Sequence, residues 1–257
     1  MKAFTKTNKL NILTMLALLW LVSFGVFGQT FEQEWKLQNP IPTLRDLNDV
    51  YFADSQNGWA VGYEGTILKT TNGGTTWIQV NSGIQEAIFS THFTDLQNGW
   101  SVGSHGSILS TNNGGHTWQN QNSGTTKKLL SVYFNDSQRG WAVGDSGAIL
   151  NTDNGGSNWQ ILNLGITGRI SSIQFADSLN GWINGEIGKI LKTTNAGTSW
   201  QTVSTGRNYV LTAMYFSDPR NGGLLPQILS YIQKTEDLAG HPEKHNFISK
   251  HSNSLIR

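Results

Sequence analysis

The sequence predicts an all-β fold of the β-propeller class, with four complete four-stranded blades, part of a fifth, and an incomplete ring. Two observations carry this. Tryptophans at 59, 100, 141 and 182, and a second set at 77, 118, 159 and 200, each advance by 41 residues without insertion or deletion. A fixed period of that length marks an array of supersecondary units. Within each period, short apolar runs are separated by clusters of Asn, Asp, Ser and Gly, the punctuation of antiparallel strands.

Taken in order, the chain opens with Lys2, Lys6 and Lys9 ahead of an apolar run from Ile12 to Phe27. This predicts a secretory signal over residues 1–28, cleaved before Gln29, and an exported protein with no membrane span once the leader is gone. Residues 1–28 contain no acid, so losing their three lysines moves the formal charge from +1 to −2. Such a chain carries no electrostatic footprint for nucleic acid. There is no cysteine, which excludes disulfides, thiolate metal sites and a cysteine nucleophile.

Repeats are expected over residues 29–222. Trp35-Lys36-Leu37-Gln38 resembles Trp77-Ile78-Gln79-Val80 and reads as a lone fourth strand completing the last blade. The first full blade, about 49–81, divides by its turn clusters into strands at Asp49–Ala53, Trp59–Gly62, Thr66–Thr71 and Thr75–Val80. Asn72-Gly73 between the last two predicts a tight hairpin. Blades at about 90–122, 131–163 and 172–204 repeat the pattern, and a partial blade starts at 213.

At position 223, where the next tryptophan is due, the chain has glycine, and the pattern is lost to Arg257. A shifted reading frame beginning at the third base of the Gly222 codon permits tryptophan there. The same frame permits a complete repeat box between Ile232 and Gly240. Residues 223–257 are therefore expected to be a frameshifted tail. The nucleotide sequence at that codon decides the point.

One box recurs in every blade: Thr70-x-Asn72-x-Gly74-x-Thr76-Trp77, with counterparts ending at Trp118, Trp159 and Trp200 and centred on Asn113, Asn154 and Asn195. It resembles the Asp-box repeat, with asparagine in place of aspartate. An Asn side chain can bond its own turn backbone and glycine supplies positive φ, so the box reads as structural. With Gly58-Trp59-Ala60-Val61-Gly62 added, the sequence is similar to the photosystem II assembly and stability factor family of β-propellers. That resemblance covers Val50 to Gly206. It implies a non-enzymatic scaffold that binds a protein partner, without cofactor or metal.

Residues that recur are expected to be scaffold, and those that break the period are candidates for function. Asp54, Asp95, Asp136, Asp177 and Asp218 keep the 41-residue step and are assigned to turns. Glu64, His105, Asp145 and Glu186, between second and third strands, break it. So do Lys127, Lys128, Arg169 and Arg207, between one blade and the next. Strand alternation places both sets on one rim, the expected partner site.

Two other readings remain. Asp-box repeats also occur in sialidase-like glycoside hydrolases, but these need an arginine cluster and a paired nucleophile and acid, and no such set stands out among the six arginines beyond the leader. A cell-surface adhesion or scaffold protein of a non-photosynthetic bacterium would use the same repeat. An incomplete ring would also expose blade edges, favouring self-association.

Overall fold

The computed structural model describes residues 41–184, 189–204, 211–218 and 221–226, all within one compact unit spanning 39–257. Blade one comprises β1 (Leu47–Phe52), β2 (Gly58–Gly62), β3 (Ile67–Thr70) and β4 (Ile78–Val80). Blade two comprises β5 (Ile88–Phe93), β6 (Gly99–Gly103), β7 (Ile108–Thr111) and β8 (Gln119–Gln121). Blade three has β9 (Leu129–Phe134), β10 (Gly140–Gly144), β11 (Ile149–Thr152) and β12 (Gln160–Ile161). Blade four has β13 (Ile173–Phe175), β14 (Gly181–Asn184), β15 (Lys189–Thr193) and β16 (Gln201–Ser204). Each is an antiparallel four-stranded sheet in chain order, and β17 (Leu211–Asp218) pairs with β18 (Asn221–Pro226) as a two-stranded fifth. The architecture is that of β-propeller blades.

A cross-strand pair explains the Gly-Trp step. Phe52, Phe93, Phe134 and Phe175 stand directly opposite Gly58, Gly99, Gly140 and Gly181. The phenylalanine ring lies over its glycine so closely that a Cβ on Gly99 would sit 2.3 Å from Phe93. Glycine is needed for the space above it. On its other face Phe93 stacks on Trp59 of the preceding blade, with centroids 3.6 Å apart. Trp100 and Phe134 repeat the arrangement at 3.6 Å, and Trp182 and Phe216 at 3.9 Å. The first tryptophan of each blade thus belongs to the next interface. Trp59, Trp100, Trp141 and Trp182 are accordingly buried.

The second set, Trp77, Trp118, Trp159 and Trp200, is only partly buried. These rings meet the edge of their own blade's phenylalanine, as Trp118 meets Phe93 at 5.9 Å and 87°.

The tight Asn-Gly hairpin needs correction. Lys69 is the last residue of β3 paired with β4, opposite Ile78, so an eight-residue turn separates the two. Asn72 Oδ1 accepts from the Thr76 N–H and the Thr70 hydroxyl, and Thr70 Oγ1 accepts from the Gly74 N–H. Gly73 and Gly74 both have positive φ, 66° and 84°. The side chains replace ladder bonds, and β4 begins at Ile78 rather than Thr75.

Inner strands are tied by side chains reaching the next blade's backbone. Asp49 Oδ2 accepts from Thr91 N–H, Ser90 Oγ from Val132 N–H, and Ser131 Oγ from Ile173 N–H. Two residues further on, Tyr51 donates its hydroxyl to Phe93 O, while His92 Nδ1 accepts from Phe134 N–H. Burial raises the Asp49 carboxyl above its ordinary range, although Thr91 and Val50 N–H groups bond it.

At the far end Gly223 pairs with Tyr215, the register that Trp59 takes opposite Tyr51 and Trp141 opposite Tyr133. Strand β18 therefore keeps the repeat register where the tryptophan is missing. Residues 1–40, with the leader and the Trp35 strand, and 227–257 lie outside the described residues.

Candidate functional site

The loops between second and third strands and the segments entering each blade do meet at one end of the strands. Tyr63 N–H donates to Asp46 O, Ser104 N–H to Ala87 O, and Asp145 N–H to Lys128 O, each within 3.0 Å. Gly65 and Gly147 N–H groups then reach Glu86 O and Gly168 O, in segments that lead into the following blade. The loops of blades one and three are thus anchored on two sides.

Anchoring imposes an unusual backbone. Glu64, His105 and Ser146 occupy equivalent positions with φ of 54°, 55° and 54°, and the following glycines also have positive φ. A Cβ on Gly65 would stand 2.1 Å from Ile84 O, so glycine is required there. A left-handed non-glycine residue costs roughly 1–2 kcal/mol. The three side chains are held outward on the exposed rim.

Around the loop Asp145–Gly147 the structure brings four of the candidates together. Lys127 Nζ donates to Ser146 O at 2.8 Å, Lys128 supplies the carbonyl beneath Asp145, and Arg169 Nε lies 3.8 Å from Asp145 Oδ1. Lys127, Lys128 and Arg169 are exposed. Glu64 sits apart in blade one, bonded to Arg45 at 2.5 Å. Exposed pairs of this kind contribute about 0–1 kcal/mol, so they leave the charges available to a partner. His105 borders a polar depression of about 490 Å³ that also includes Glu86, Asn120, Asn122 and Ser123. Glu186 and Arg207 lie outside the described residues.

The periodic aspartates are occupied. Asp54 Oδ1 accepts from Gln56 and Asn57 N–H groups, and the same bonds recur at Asp95, Asp136 and Asp177. The backbone bond from Asn57, with its side chain and Gln56 adding to it, holds the Asp54 carboxyl below its ordinary range. Among the described residues no cluster of three metal-ligating side chains occurs, and no helix is long and apolar enough to cross a membrane.

Sequence reasoning passed over the interface residues Lys69, His116 and His92. Lys69 is buried beside His116, 3.2 Å from its Nε2. Its signal was present, since Lys69, Ser110, Asn151 and Lys192 break the period inside a strand.

Residues 118–210 match the family model described as photosynthesis system II assembly factor YCF48. Over those residues the repeat is similar to that of the YCF48 family. Among solved structures, "YCF48 bound to D1 peptide" is 17% identical, with 76% of this chain and 95% of that one covered and a TM-score of 0.45. YCF48 from Cyanidioschyzon merolae is also 17% identical, covering 74% of this chain and 95% of that one, with a TM-score of 0.44. The GH74 enzyme from Niastella koreensis is 16% identical with a TM-score of 0.57; it covers 68% of this chain, which spans only 32% of the enzyme. That likeness is one of blade fold. No curated protein matches the chain.

Proposed function

We propose that the chain is an exported, non-enzymatic β-propeller scaffold, akin to the YCF48 assembly factors, that presents its rim of non-repeating charged residues to a protein partner. The observation that carries this reading is the YCF48 repeat match over residues 118–210. The rim supports it: Lys127, Lys128 and Arg169 are exposed and fixed on anchored loops, while periodic side chains are spent inside the fold. No cofactor or nucleic acid takes part. Self-association through blade one is a second consequence, because Leu47, Val50 and Phe52 are 45%, 56% and 42% exposed, against 1%, 3% and 1% at the equivalent Ile88, Thr91 and Phe93.

The rival hydrolase needs a paired acid and nucleophile. The periodic aspartates Asp54, Asp95, Asp136 and Asp177 are instead committed to turn N–H groups. One experiment separates the readings. Wild type and a Lys127→Glu, Lys128→Glu, Arg169→Glu variant are compared for proteins retained from extracts of the native host and for release of sugar from xyloglucan. The reading predicts a protein retained only by wild type, equal urea midpoints, and no sugar release. Identical retained proteins, or xyloglucan turnover, would contradict it.

A further inference from the structure

The third strand of each blade ends alike except for one residue: Ile67-Leu68-Lys69-Thr70, Ile108-Leu109-Ser110-Thr111, Ile149-Leu150-Asn151-Thr152 and Ile190-Leu191-Lys192-Thr193. The variable residue always pairs with the tryptophan of the second strand, as Trp59 with Lys69 and Trp100 with Ser110. Trp141 pairs with Asn151, and Trp182 with Lys192. In two blades a lysine therefore lies along an indole. Lys69 Nζ is 6.0 Å from the Trp59 ring centroid and Lys192 Nζ is 5.5 Å from that of Trp182. These distances are within reach of a cation–π attraction.

Blade two differs. Ser110 is shorter than lysine, and a cavity of about 180 Å³ opens beside it, bordered by Asn98, Trp100, Ser110, Thr117, Gln119 and Gly155, with 3% of Trp100 exposed. This is large beside the roughly 10–15 Å³ that one water requires. Stepping back by one repeat, the same positions are Asn57, Trp59, Lys69, Thr76, Ile78 and Gly114. A Cβ on Gly114 would approach Lys69 Nζ at 3.5 Å, whereas a Cβ on Gly155 meets only Ser137 O, at 3.0 Å. The volume filled by a lysine at the first blade interface is open at the second.

We propose that this cavity is a binding slot for a primary alkylammonium, either a lysine side chain from a partner or a small aliphatic amine, seated on Trp100 as Lys69 is seated on Trp59. Methylenes of the guest fill the space left by Ser110 at the accessible edge of the indole, and the Asn98, Thr117 and Gln119 side chains supply oxygen acceptors for the head. No Lys, Arg or His borders the cavity to repel it, since Ser157 stands where His116 faces Lys69. The slot lies at the end of the strands opposite the charged rim and is independent of the rim's proposed role.

The test uses the whole chain, with the Trp100 indole N–H followed by NMR during titration. Butylammonium should give a saturable shift with a dissociation constant on the order of 1–10 mM. Its uncharged isostere 1-butanol should bind about three- to tenfold more weakly. Ser110→Lys, which fills the slot from within, should abolish the response; Ser110→Met serves if that variant does not fold. A response to an N- and C-blocked lysine as well places the natural guest in a protein, and a response to butylammonium alone places it among small amines. Equal binding of 1-butanol, or an unchanged butylammonium response in both filled variants, overturns the proposal.

Discussion

Phe93 and Trp59 stack across the first blade interface with their planes 12° from parallel, and the opposite side of the phenylalanine ring rests on the bare Cα of Gly99. One aromatic residue thus joins two repeat elements, the tryptophan of one blade and the glycine of the next.

Gly99→Ala places a methyl group 2.3 Å from the Phe93 ring, which is held on its other face and cannot retreat. Overpacking of this kind costs about 1–3 kcal/mol. A lower urea midpoint at unchanged slope is expected, and it should be partly restored by Phe93→Leu in the same chain, because neighbouring changes are not additive.

Phe52 and Phe134 are equivalent in the repeat and unequal in burial, 42% against 1% exposed. Phe134→Ala should cost about 3–5 kcal/mol, the range for a fully buried aromatic ring. Phe52→Ala should cost less than half as much. Equilibrium unfolding of the two variants compares them directly.

Ala196→Gly should stabilise the protein. Ala196 has φ of 55°, where the equivalent Gly114 and Gly155 have 67° and 68°. Those two glycines accept the Trp59 and Trp100 indole N–H groups through their carbonyls, but Trp141 Nε1 is buried without a partner. Removing the left-handed alanine is worth roughly 1 kcal/mol, and more if the Trp141 bond then forms. Thermal melting reads the gain.

Burial pushes the His92 imidazole down to about 4. Its ring packs between Tyr51 and Tyr133, and its Nδ1 accepts the Phe134 N–H. The folded value lies below the unfolded one, so the unfolded chain binds more protons between about pH 4 and 6.5. Stability is full above that window and falls as pH drops through it. The loss is at most about 3 kcal/mol, because part of the ring is not buried. His92→Gln should flatten this part of the pH profile, since Gln174 at the equivalent position accepts from Phe216 N–H through Oε1. Urea unfolding at a series of pH values checks both.

Much of the fold was legible because tryptophan, glycine and the turn clusters keep their spacing through every blade. Strand existence and order followed from it. The box turn was misread as a tight hairpin because Asn-Gly is the same dipeptide in both. What distinguishes them is Thr70 and Asn72 bonding the turn through side chains, which holds eight residues between the paired ends of β3 and β4. The burial difference between Trp59 and Trp77 was equally hidden, since it depends on which blade each ring faces. On the rim, breaks in the period correctly placed loops side by side, but they could not reveal that Lys127, Lys128, Asp145 and Arg169 converge while Glu64 pairs with Arg45. A break within a strand, at Ser110, pointed to a cavity only once Lys69 showed what fills the equivalent space.

Each blade's first tryptophan holds the next blade through its phenylalanine. A double-mutant cycle on Trp100→Leu and Phe134→Leu, measured by urea unfolding, tests it most directly. Across the 3.6 Å stack a favourable coupling of about 0.5–1.5 kcal/mol is predicted. Trp59→Leu with Phe134→Leu, which do not stack on each other, should be additive within about 0.5 kcal/mol. Additivity for Trp100 and Phe134 as well would contradict the account.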